Sequence, residues 1–314
     1  IDRDIMNPDT QSPIVTVVIS THNRAHLVGR AIGSVLAQTY RDFELLVVDD
    51  GSTDNTREVL GRFHDERIRY VRHEVNRGGP AARNTGIKTA RGRYIALLDD
   101  DDEWLPAKLE KLAAGMARAP EKIGVLYSGA ELVDADGRVF RTYVPDGAGD
   151  VRERLLHGSL VGSVSRALVK KECFDKVGLF DEALTSCQDW DMWKRISDVY
   201  EFDFVPDILV RIHSHGAQIS TDFTAMIPGR IRMVEKHLSE FEKHPDILTA
   251  HLKQIAKLHC LNGTWREAAR WFRRAAKIRR LEWIKIAAWC MLELPVLKLF
   301  SKTGRFRKYV APLK

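Results

Sequence analysis

Cysteine is scarce in this sequence, and its few copies are scattered. The chain has four cysteines, Cys173, Cys187, Cys260 and Cys290. Because they form no CxxC pair and show no metal-ligand spacing, the pattern predicts neither a disulfide framework nor a zinc site. A reducing compartment, the cytoplasm, is the setting that such a sequence favours.

Hydrophobic segments that enter or cross membranes are also lacking. The first 13 residues contain three aspartates and no apolar core, which argues against a secretory signal peptide. Residues 283–300 are apolar but are interrupted by Lys285, Glu293, Pro295 and Lys298. A spanning helix needs about 20 nearly uninterrupted apolar residues, so we expect no transmembrane insertion at this stretch.

Low-complexity tracts are missing as well, and the composition is that of a globular protein. The chain has 314 residues, of which 44% are hydrophobic and 29% are charged. Two units are expected at this length. The net charge of +6 is unevenly distributed: residues 225–314 hold 20 Lys and Arg against 7 Asp and Glu, whereas the preceding residues hold 29 against 36. The two parts should therefore meet different partners.

The N-terminal half alternates apolar strands with helical patterns. Strands are predicted near residues 14–19, 43–48, 68–71 and 93–98, with helices between them. This alternation indicates right-handed βαβ crossovers and an α/β fold, a mostly parallel sheet flanked by helices.

Beyond the fourth strand the pattern is less regular. Helices are predicted near residues 106–118 and 188–197, and strands near 125–128, 139–143, 202–205 and 208–212. From residue 225 onward strand signals vanish and amphipathic helical patterns follow. We therefore predict an N-terminal extension (1–12), an α/β domain (13–222) and a basic helical region (223–314).

Polar residues stand where the predicted strands end. Ser20 and His22 follow the first strand, Asp49 and Asp50 the second, and the aspartate run 99–102 the fourth. Ligands of open α/β sheets bind beyond the carboxyl ends of the strands. These side chains should therefore share one crevice.

The run of four aspartates predicts a cation site. Adjacent carboxylates repel one another unless a cation or hydrogen-bond donors offset their charge. Mg²⁺ is commonly held by one or two carboxylates together with water and substrate phosphates, which suits Asp99 and Asp101. The competing interpretation is a solvated acidic loop that caps the following helix.

Seven segments resemble the family 2 glycosyltransferases with the GT-A fold. They are VVISTHNR (17–24), VVDDGSTDNT (47–56), NRGGPAARNTGI (76–87), YIALLDDDDEWLP (94–106), GLFDE (178–182), QDWDMWKRI (188–196) and RIHSHGAQIS (211–220). The resemblance covers about two thirds of the chain. It implies inverting, metal-dependent transfer of a hexosyl or N-acetylhexosaminyl group from a nucleotide diphosphate sugar, with Mn²⁺ or Mg²⁺ as cofactor.

The resemblance assigns Ser20, His22 and Asp50 to the nucleoside end of the donor. His22 stands where the family usually has a tyrosine that flanks uracil, and an imidazole can also stack. Asp50 could accept a hydrogen bond from the imide N–H that uracil and thymine have and cytosine lacks, which favours UDP or dTDP donors. An Asx-type turn is the alternative for Asp50, and Asp49 could serve that turn alone.

The remaining donor contacts fall on the glycine-rich segment and the aspartate run. Gly79 precedes a helix whose N-terminus, together with Arg83, can approach an anion closely. Asp99 and Asp100 are assigned to the nucleotide by the resemblance. The alternative for the glycine segment is a plain turn with a surface arginine.

Two further positions carry implied catalytic and metal roles. Asp189 occupies the family's general-base position, although Gln188 replaces the glutamate that commonly precedes it. We interpret Asp191 as structural, pairing with Arg195. His213 matches a histidine that approaches the metal or diphosphate, which makes it the third metal ligand beside Asp99 and Asp101; a surface histidine is the alternative.

The C-terminal region suggests a surface role. Residues 263–280 resemble one helix of a tetratricopeptide-like hairpin, but a single copy forms no solenoid. The tryptophans and flanking basic residues of 283–300 favour a helix lying on an anionic membrane, peripheral on the inner face of the plasma membrane. Packing on the catalytic domain and formation of a homodimer are the alternatives. No nucleic-acid-binding motif accompanies the charge, so no nucleic acid partner is expected.

Together these features predict a glycosyltransferase whose acceptor is a glycan or a lipid-linked cell-envelope glycan. A sugar nucleotidyltransferase would usually carry a Gly- and Arg-rich loop after the first strand, which STHNRAHL (20–27) does not provide. A non-catalytic nucleotide-sugar-binding scaffold would not need Asp99, Asp101 and Asp189.

Overall fold

The computed structural model describes residues 13–214 and 222–279. These residues form two compact units: the first comprises 13–151, Val161–Phe180 and Arg195–Ser214, and the second comprises Arg152–Leu160, Asp181–Lys194 and 222–279. A single boundary after residue 222 was predicted, whereas each unit is built from three separate segments of the chain. The predicted extension 1–12 and the apolar stretch 283–300 lie outside the described residues.

The strands of the described chain all belong to the first unit. They are β1 (Val15–Thr21), β2 (Phe43–Asp49), β3 (Ile68–Arg72), β4 (Tyr94–Asp99), β5 (Glu103–Trp104), β6 (Ile123–Val133), β7 (Val139–Tyr143), β8 (Ala167–Lys170) and β9 (Glu201–His213). They form one sheet in the order β3-β2-β1-β4-β8-β6-β9-β5, with β7 paired to β6.

Helices occur in both units. They are α1 (Ala25–Leu36), α2 (Thr56–Leu60), α3 (Gly79–Thr89), α4 (Lys108–Arg118), α5 (Arg152–His157), α6 (Lys171–Val177), α7 (Gln188–Ser197), α8 (Phe223–Lys236), α9 (Leu238–Phe241), α10 (Pro245–Leu261) and α11 (Trp265–Ile278). The predicted α/β fold with a helical C-terminal region is thus confirmed.

Strands β3, β2, β1 and β4 are mutually parallel, as the βαβ alternation predicts. All seven residues of β2 are buried, which explains why its sequence is an almost continuous apolar run. Beyond β4 the sheet is mixed, because β8 runs antiparallel to both of its neighbours. Strand β8 was not predicted, since four residues give too short a pattern to recognise.

The two strands predicted near the end of the α/β domain form one strand, β9. Its register against β6 shifts at the point where Val205 pairs with Ser128 and Ile208 pairs with Gly129. Pro206 lies in the shifted stretch and has no N–H to donate to a neighbouring strand. The break in the apolar pattern therefore marks an irregularity within β9.

Helix α3 packs closely on β1. A Cβ added at Gly86 would lie 2.2 Å from Val18 Cγ1, so only glycine permits this approach. The C-terminal half of α3 therefore lies directly against β1.

In the second unit, an ion-pair cluster links α7 to α8 and the residue that follows it. The Asp191 side chain is fully buried, and it accepts hydrogen bonds from Lys236 Nζ and His237 Nε2, both at 2.9 Å. The structural role predicted for Asp191 is therefore confirmed. Arg195, the partner suggested by the sequence, donates to the carbonyls of Val177 and Leu179.

None of the helices within residues 13–214 and 222–279 combines the length and apolar character needed to cross a membrane.

Candidate active site

The polar residues predicted to share one crevice do lie together at the carboxyl edge of the sheet. In the strand register Ser20 of β1 is the neighbour of Asp99 of β4, and Thr21 is the neighbour of Asp49 of β2. Parallel pairing of β1 with both other strands produces this juxtaposition. Segments separated by about 80 residues in sequence are thus brought side by side.

Three aspartates of the acidic run form a cluster that could hold a metal ion. One carboxylate oxygen from each of Asp99, Asp101 and Asp102 lies within 4.8 Å of the others. Asp102 is only 2% exposed, and its Oδ1 atom has no hydrogen-bond partner. A buried carboxylate that lies beside two others and has one oxygen without a partner is a costly arrangement without a cation.

The electrostatics of the run support the same conclusion. Burial raises the pKa of Asp102 well above its ordinary value, and the charges of Asp99 and Asp101 raise it further. Burial also raises the pKa of Asp100, an effect that the charge of Arg24 opposes. The raised pKa values mean that the protein alone does not stabilise negative charge on these two carboxyl groups. A bound cation would stabilise it, and hard oxygen ligands of this kind suit Mg²⁺ or Mn²⁺.

Three arginines border the aspartate run. Arg24 Nη1 lies 2.7 Å from Asp100 Oδ1 and 3.1 Å from Asp101 Oδ2. Arg30 donates to the Asp101 carbonyl at 2.6 Å, and Arg83 Nη2 lies 2.7 Å from Asp99 Oδ1. Arg83 was predicted at this site, whereas Arg24 and Arg30 were not. Arg24 could have been identified from its position in the polar segment that follows β1.

Two serines from a distant segment hold the aspartates in place. Ser165 Oγ donates to Asp102 Oδ2 at 2.6 Å and accepts from the backbone N–H of Asp99 at 3.1 Å. Ser163 Oγ lies 3.2 Å from Asp99 Oδ2 and 3.4 Å from Asp102 Oδ2. Neither serine was predicted; both lie at the start of a short 3-10 helix, Val164–Arg166.

Asp50 lies at the centre of a hydrogen-bonded network. Its buried carboxylate accepts from His73 Nδ1 at 2.6 Å and from the backbone N–H groups of Arg77 and Gly78 at 2.9 and 2.7 Å. His22 Nδ1 donates to the Asp50 carbonyl at 2.8 Å, because a carbonyl oxygen can only accept. The network fixes the loop after β2 relative to the loop after β1.

Asp49 stabilises the turn after β2, as the sequence suggested, although its side chain bonds the N–H three residues on and not two as in an Asx turn. Its Oδ1 atom accepts from the Ser52 N–H at 2.8 Å, and its Oδ2 accepts from the Tyr70 hydroxyl at 2.6 Å. Asp49 is 1% exposed and therefore serves the loop structure.

The glycine-rich segment forms the start of α3. Gly78 has a φ of 92°, a left-handed conformation that favours glycine, and α3 begins at Gly79 with Pro80 in its first turn. A Cβ at Gly79 would meet only the Arg83 side chain, at 3.9 Å. The helix end and Arg83 thus present a positive, sterically open edge next to Asp99.

His213 does not belong to the cluster of Asp99, Asp101 and Asp102. Its Nε2 atom is 3.3 Å from Glu103 Oε2, and burial lowers the pKa of the imidazole. The described residues bring together two of the three predicted ligands, Asp99 and Asp101, and Asp102 takes the third place in the cluster. Metal ligation by His213 stays a prediction.

Asp189 is the second residue of α7 and belongs to the second unit. It is half-buried, and its Oδ1 atom accepts from the backbone N–H of Trp190 at 3.2 Å. Its role as general base stays a prediction that rests on its position in the motif.

Comparisons with known proteins agree with this site. Residues 16–160 match the model of the family described as glycosyl transferase family 2. An uncharacterized glycosyltransferase, RP339, of Rickettsia prowazekii is 31% identical over 258 residues, which cover 80% of this chain and 76% of that protein. Other relatives are longer, since the match covers 35% of an uncharacterized glycosyltransferase of Rickettsia felis.

A relative with a named reaction matches a shorter stretch. The UDP-Glc:alpha-D-GlcNAc-diphosphoundecaprenol beta-1,3-glucosyltransferase WfgD of Escherichia coli is 39% identical over 132 residues, covering 42% of this chain and 51% of WfgD.

Solved structures share the fold at low sequence identity. TarS 1-349 of S. aureus in complex with UDP-GlcNAc superimposes with a TM-score of 0.57 at 16% identity, covering 85% of this chain and 92% of that one. The mannosyltransferase PcManGT of Pyrobaculum calidifontis, in complex with GDP-Man and Mn²⁺, gives a TM-score of 0.59 at 18% identity, covering 97% of this chain and 86% of that one. The aspartate cluster at the carboxyl edge of the sheet, the sequence match and the shared architecture agree, and the chain belongs to glycosyl transferase family 2.

Proposed function

We propose that the protein transfers a hexosyl or N-acetylhexosaminyl group, with inversion, from a UDP-sugar or dTDP-sugar to an acceptor hydroxyl. The observation that supports this most is the cluster of Asp99, Asp101 and Asp102, in which the buried Asp102 has an oxygen, Oδ1, without a hydrogen-bond partner. Such a cluster suits the binding of a divalent cation and, through it, of a diphosphate.

Mn²⁺ or Mg²⁺ is the proposed cofactor, held by the three aspartates. When bound, such a cation stabilises the negative charge of a diphosphate leaving group. Arg83 and the N-terminal end of α3 add positive charge on the same edge. The Gly78 N–H is already donated to Asp50, so we expect the phosphate contacts to come from Gly79 onward and from Arg83.

The nucleoside contacts are proposed for the loops after β1 and β2. His22 is held by its bond to the Asp50 carbonyl, which leaves the face of its ring as a surface for stacking on a base. Asp50 Oδ2 accepts one bond in the described structure, from Gly78, and a carboxylate oxygen can accept a second. An imide N–H of uracil or thymine is therefore the proposed further donor, with Ser20 nearby at the end of β1.

The acceptor is proposed to be a glycan or a lipid-linked cell-envelope glycan. WfgD acts, by its name, on a diphosphoundecaprenol-linked sugar, which gives this proposal its support. Asp189 is the proposed general base that takes the proton of the attacking hydroxyl. The cytoplasmic side of the membrane is the proposed site of the reaction.

A panel assay tests the proposal. The protein is incubated with Mn²⁺ and UDP-, dTDP- and GDP-sugars, with and without a GlcNAc-diphosphoundecaprenol acceptor, and nucleoside diphosphate release is measured. We expect release from a UDP- or dTDP-sugar, stimulated by acceptor, and a β-linked product from an α-linked donor by NMR. Release from GDP-sugars alone, or an α-linked product, would contradict the proposed donor or the proposed inversion.

Substitution of Ser165 by Ala should weaken metal binding. The change removes the hydroxyl that joins Asp102 Oδ2 to the backbone of Asp99, and lost partners of this kind typically cost about 10–100-fold in metal affinity. Titration of Mn²⁺ followed by the EPR signal of the free ion measures the effect. Ser163→Ala should cost less, because its bonds are longer; wild-type Mn²⁺ affinity in Ser165→Ala would show that the hydroxyl does not position the cluster.

A further inference from the structure

We propose that α11 docks the protein on an anionic lipid surface through one stripe of four basic side chains, called the basic stripe. Its members are Arg266, Arg270, Arg273 and Lys277, and all four are exposed. Their spacing of four, three and four residues places them within an arc of roughly 60° on a helix of 3.6 residues per turn. The stripe is about 16 Å long at a rise of 1.5 Å per residue.

The opposite face of α11 is already covered by protein. Ala268 and Phe272 of α11 are buried and pack with Ala256 and Cys260 of α10. Because this pairing uses the apolar face, α11 cannot bury that face in a bilayer while the hairpin stays folded. The basic stripe must therefore act on headgroups, by charge, with α11 lying flat on the surface.

Little negative charge on α11 offsets the basic stripe. Within Trp265–Ile278 the one acidic residue is Glu267, which pairs with Arg270 at 2.7 Å. Exposed pairs of this kind are weak and leave the long-range field of the remaining cations largely intact.

A lipid surface fits these features better than other polyanions do. A single straight row of cations on a convex helix meets a plane of phosphates along its whole length, whereas it has no groove or aromatic platform for a nucleic acid strand. The choice also rests on the proposed function, since a lipid-linked acceptor would be presented at such a surface. Docking would bring the protein to the surface that holds its acceptor.

Vesicle binding of the full chain tests the proposal. Cosedimentation is measured with vesicles of phosphatidylcholine containing 30% phosphatidylglycerol and with pure phosphatidylcholine, at about 50 and 500 mM NaCl. A variant with Arg266, Arg270, Arg273 and Lys277 changed to Gln keeps the helix, because Gln has good helix propensity. A matched control changes four exposed arginines of the first unit to Gln: Arg57, Arg62, Arg138 and Arg141.

We expect salt-sensitive binding of the wild type to the anionic vesicles alone. Each basic residue near such a surface contributes about 5-fold in partitioning, so the four substitutions should lower it by at least about 100-fold, whereas the control changes it little. The proposal would be overturned if the stripe variant bound like the wild type, or if the control lost as much binding. It would also be overturned if the wild type bound neutral vesicles equally well, or bound DNA more tightly than the vesicles. Donor hydrolysis in solution should be unchanged in the stripe variant, which separates a failure of docking from a failure of the proposed reaction.

Discussion

The Asp189→Asn variant is expected to transfer sugar about 10²–10⁴-fold more slowly than the wild type, the typical contribution of a general base. An amide has nearly the same shape as a carboxylate and can still accept a hydrogen bond. It cannot take the proton that the attacking hydroxyl must lose. The loss should therefore appear in kcat, whereas the affinity for UDP and Mn²⁺ stays close to normal.

The rival interpretation makes Asp189 a residue of the helix start, because its Oδ1 atom accepts from the Trp190 N–H. Asn and Asp serve equally well at a helix N-terminus, so on that interpretation the substitution would be nearly neutral. Wild-type transfer by Asp189→Asn, measured with saturating donor, would remove the base assignment.

The choice of control for this experiment depends on the structure. Asp191 is two residues away, but it is buried and paired with Lys236 and His237. Replacing it by Asn would break this buried pair with Lys236 and would destabilise the second unit, so a loss of activity in Asp191→Asn would be uninformative. Asp198 is exposed just beyond the end of α7, so Asp198→Asn makes the same chemical change at a solvated position. It should transfer sugar at the wild-type rate.

Strands and the polar residues at their ends could be predicted from the sequence because both signals are local. A continuous apolar run such as that of β2 indicates a strand buried on both faces, and parallel pairing then places its carboxyl end next to those of its neighbours. The convergence of Ser20, Asp50 and Asp99 follows from those two facts alone.

The partners of these residues could not be predicted, because they come from distant segments with no pattern of their own. Ser165 reaches Asp102 from 63 residues away, and His73 reaches Asp50 from 23. A lone serine or histidine in a loop looks the same in the sequence whether it is a surface residue or a hydrogen-bond partner. The burial of Asp102 was equally hidden, since four adjacent aspartates give no sign of which one faces inward.

The Asp101→Asn variant is expected to lose the dependence of UDP binding on a divalent cation. Asp101 supplies one of the three carboxylate oxygens of the cluster. Loss of a residue that only supports a ligand can lower metal affinity by about 100-fold, and loss of a ligand itself should lower it at least as much. Calorimetry with UDP and Mn²⁺, repeated in excess chelator, measures this. The wild type should bind UDP tightly only with Mn²⁺, and the variant should bind as weakly with Mn²⁺ as the wild type does in chelator.

The Asp101→Asn variant should stay folded because of the charge balance of the cluster. The oxygens of Asp99, Asp101 and Asp102 crowd within 4.8 Å, so removing one negative charge relieves repulsion in the metal-free protein. Asp136→Asn, an equal change at an exposed residue between β6 and β7, is the control and should bind UDP and Mn²⁺ normally. Equal UDP affinity of the wild type with and without chelator would remove the metal role altogether. If instead the wild type needs Mn²⁺ and Asp101→Asn binds equally well, the cation is held by other residues of the site.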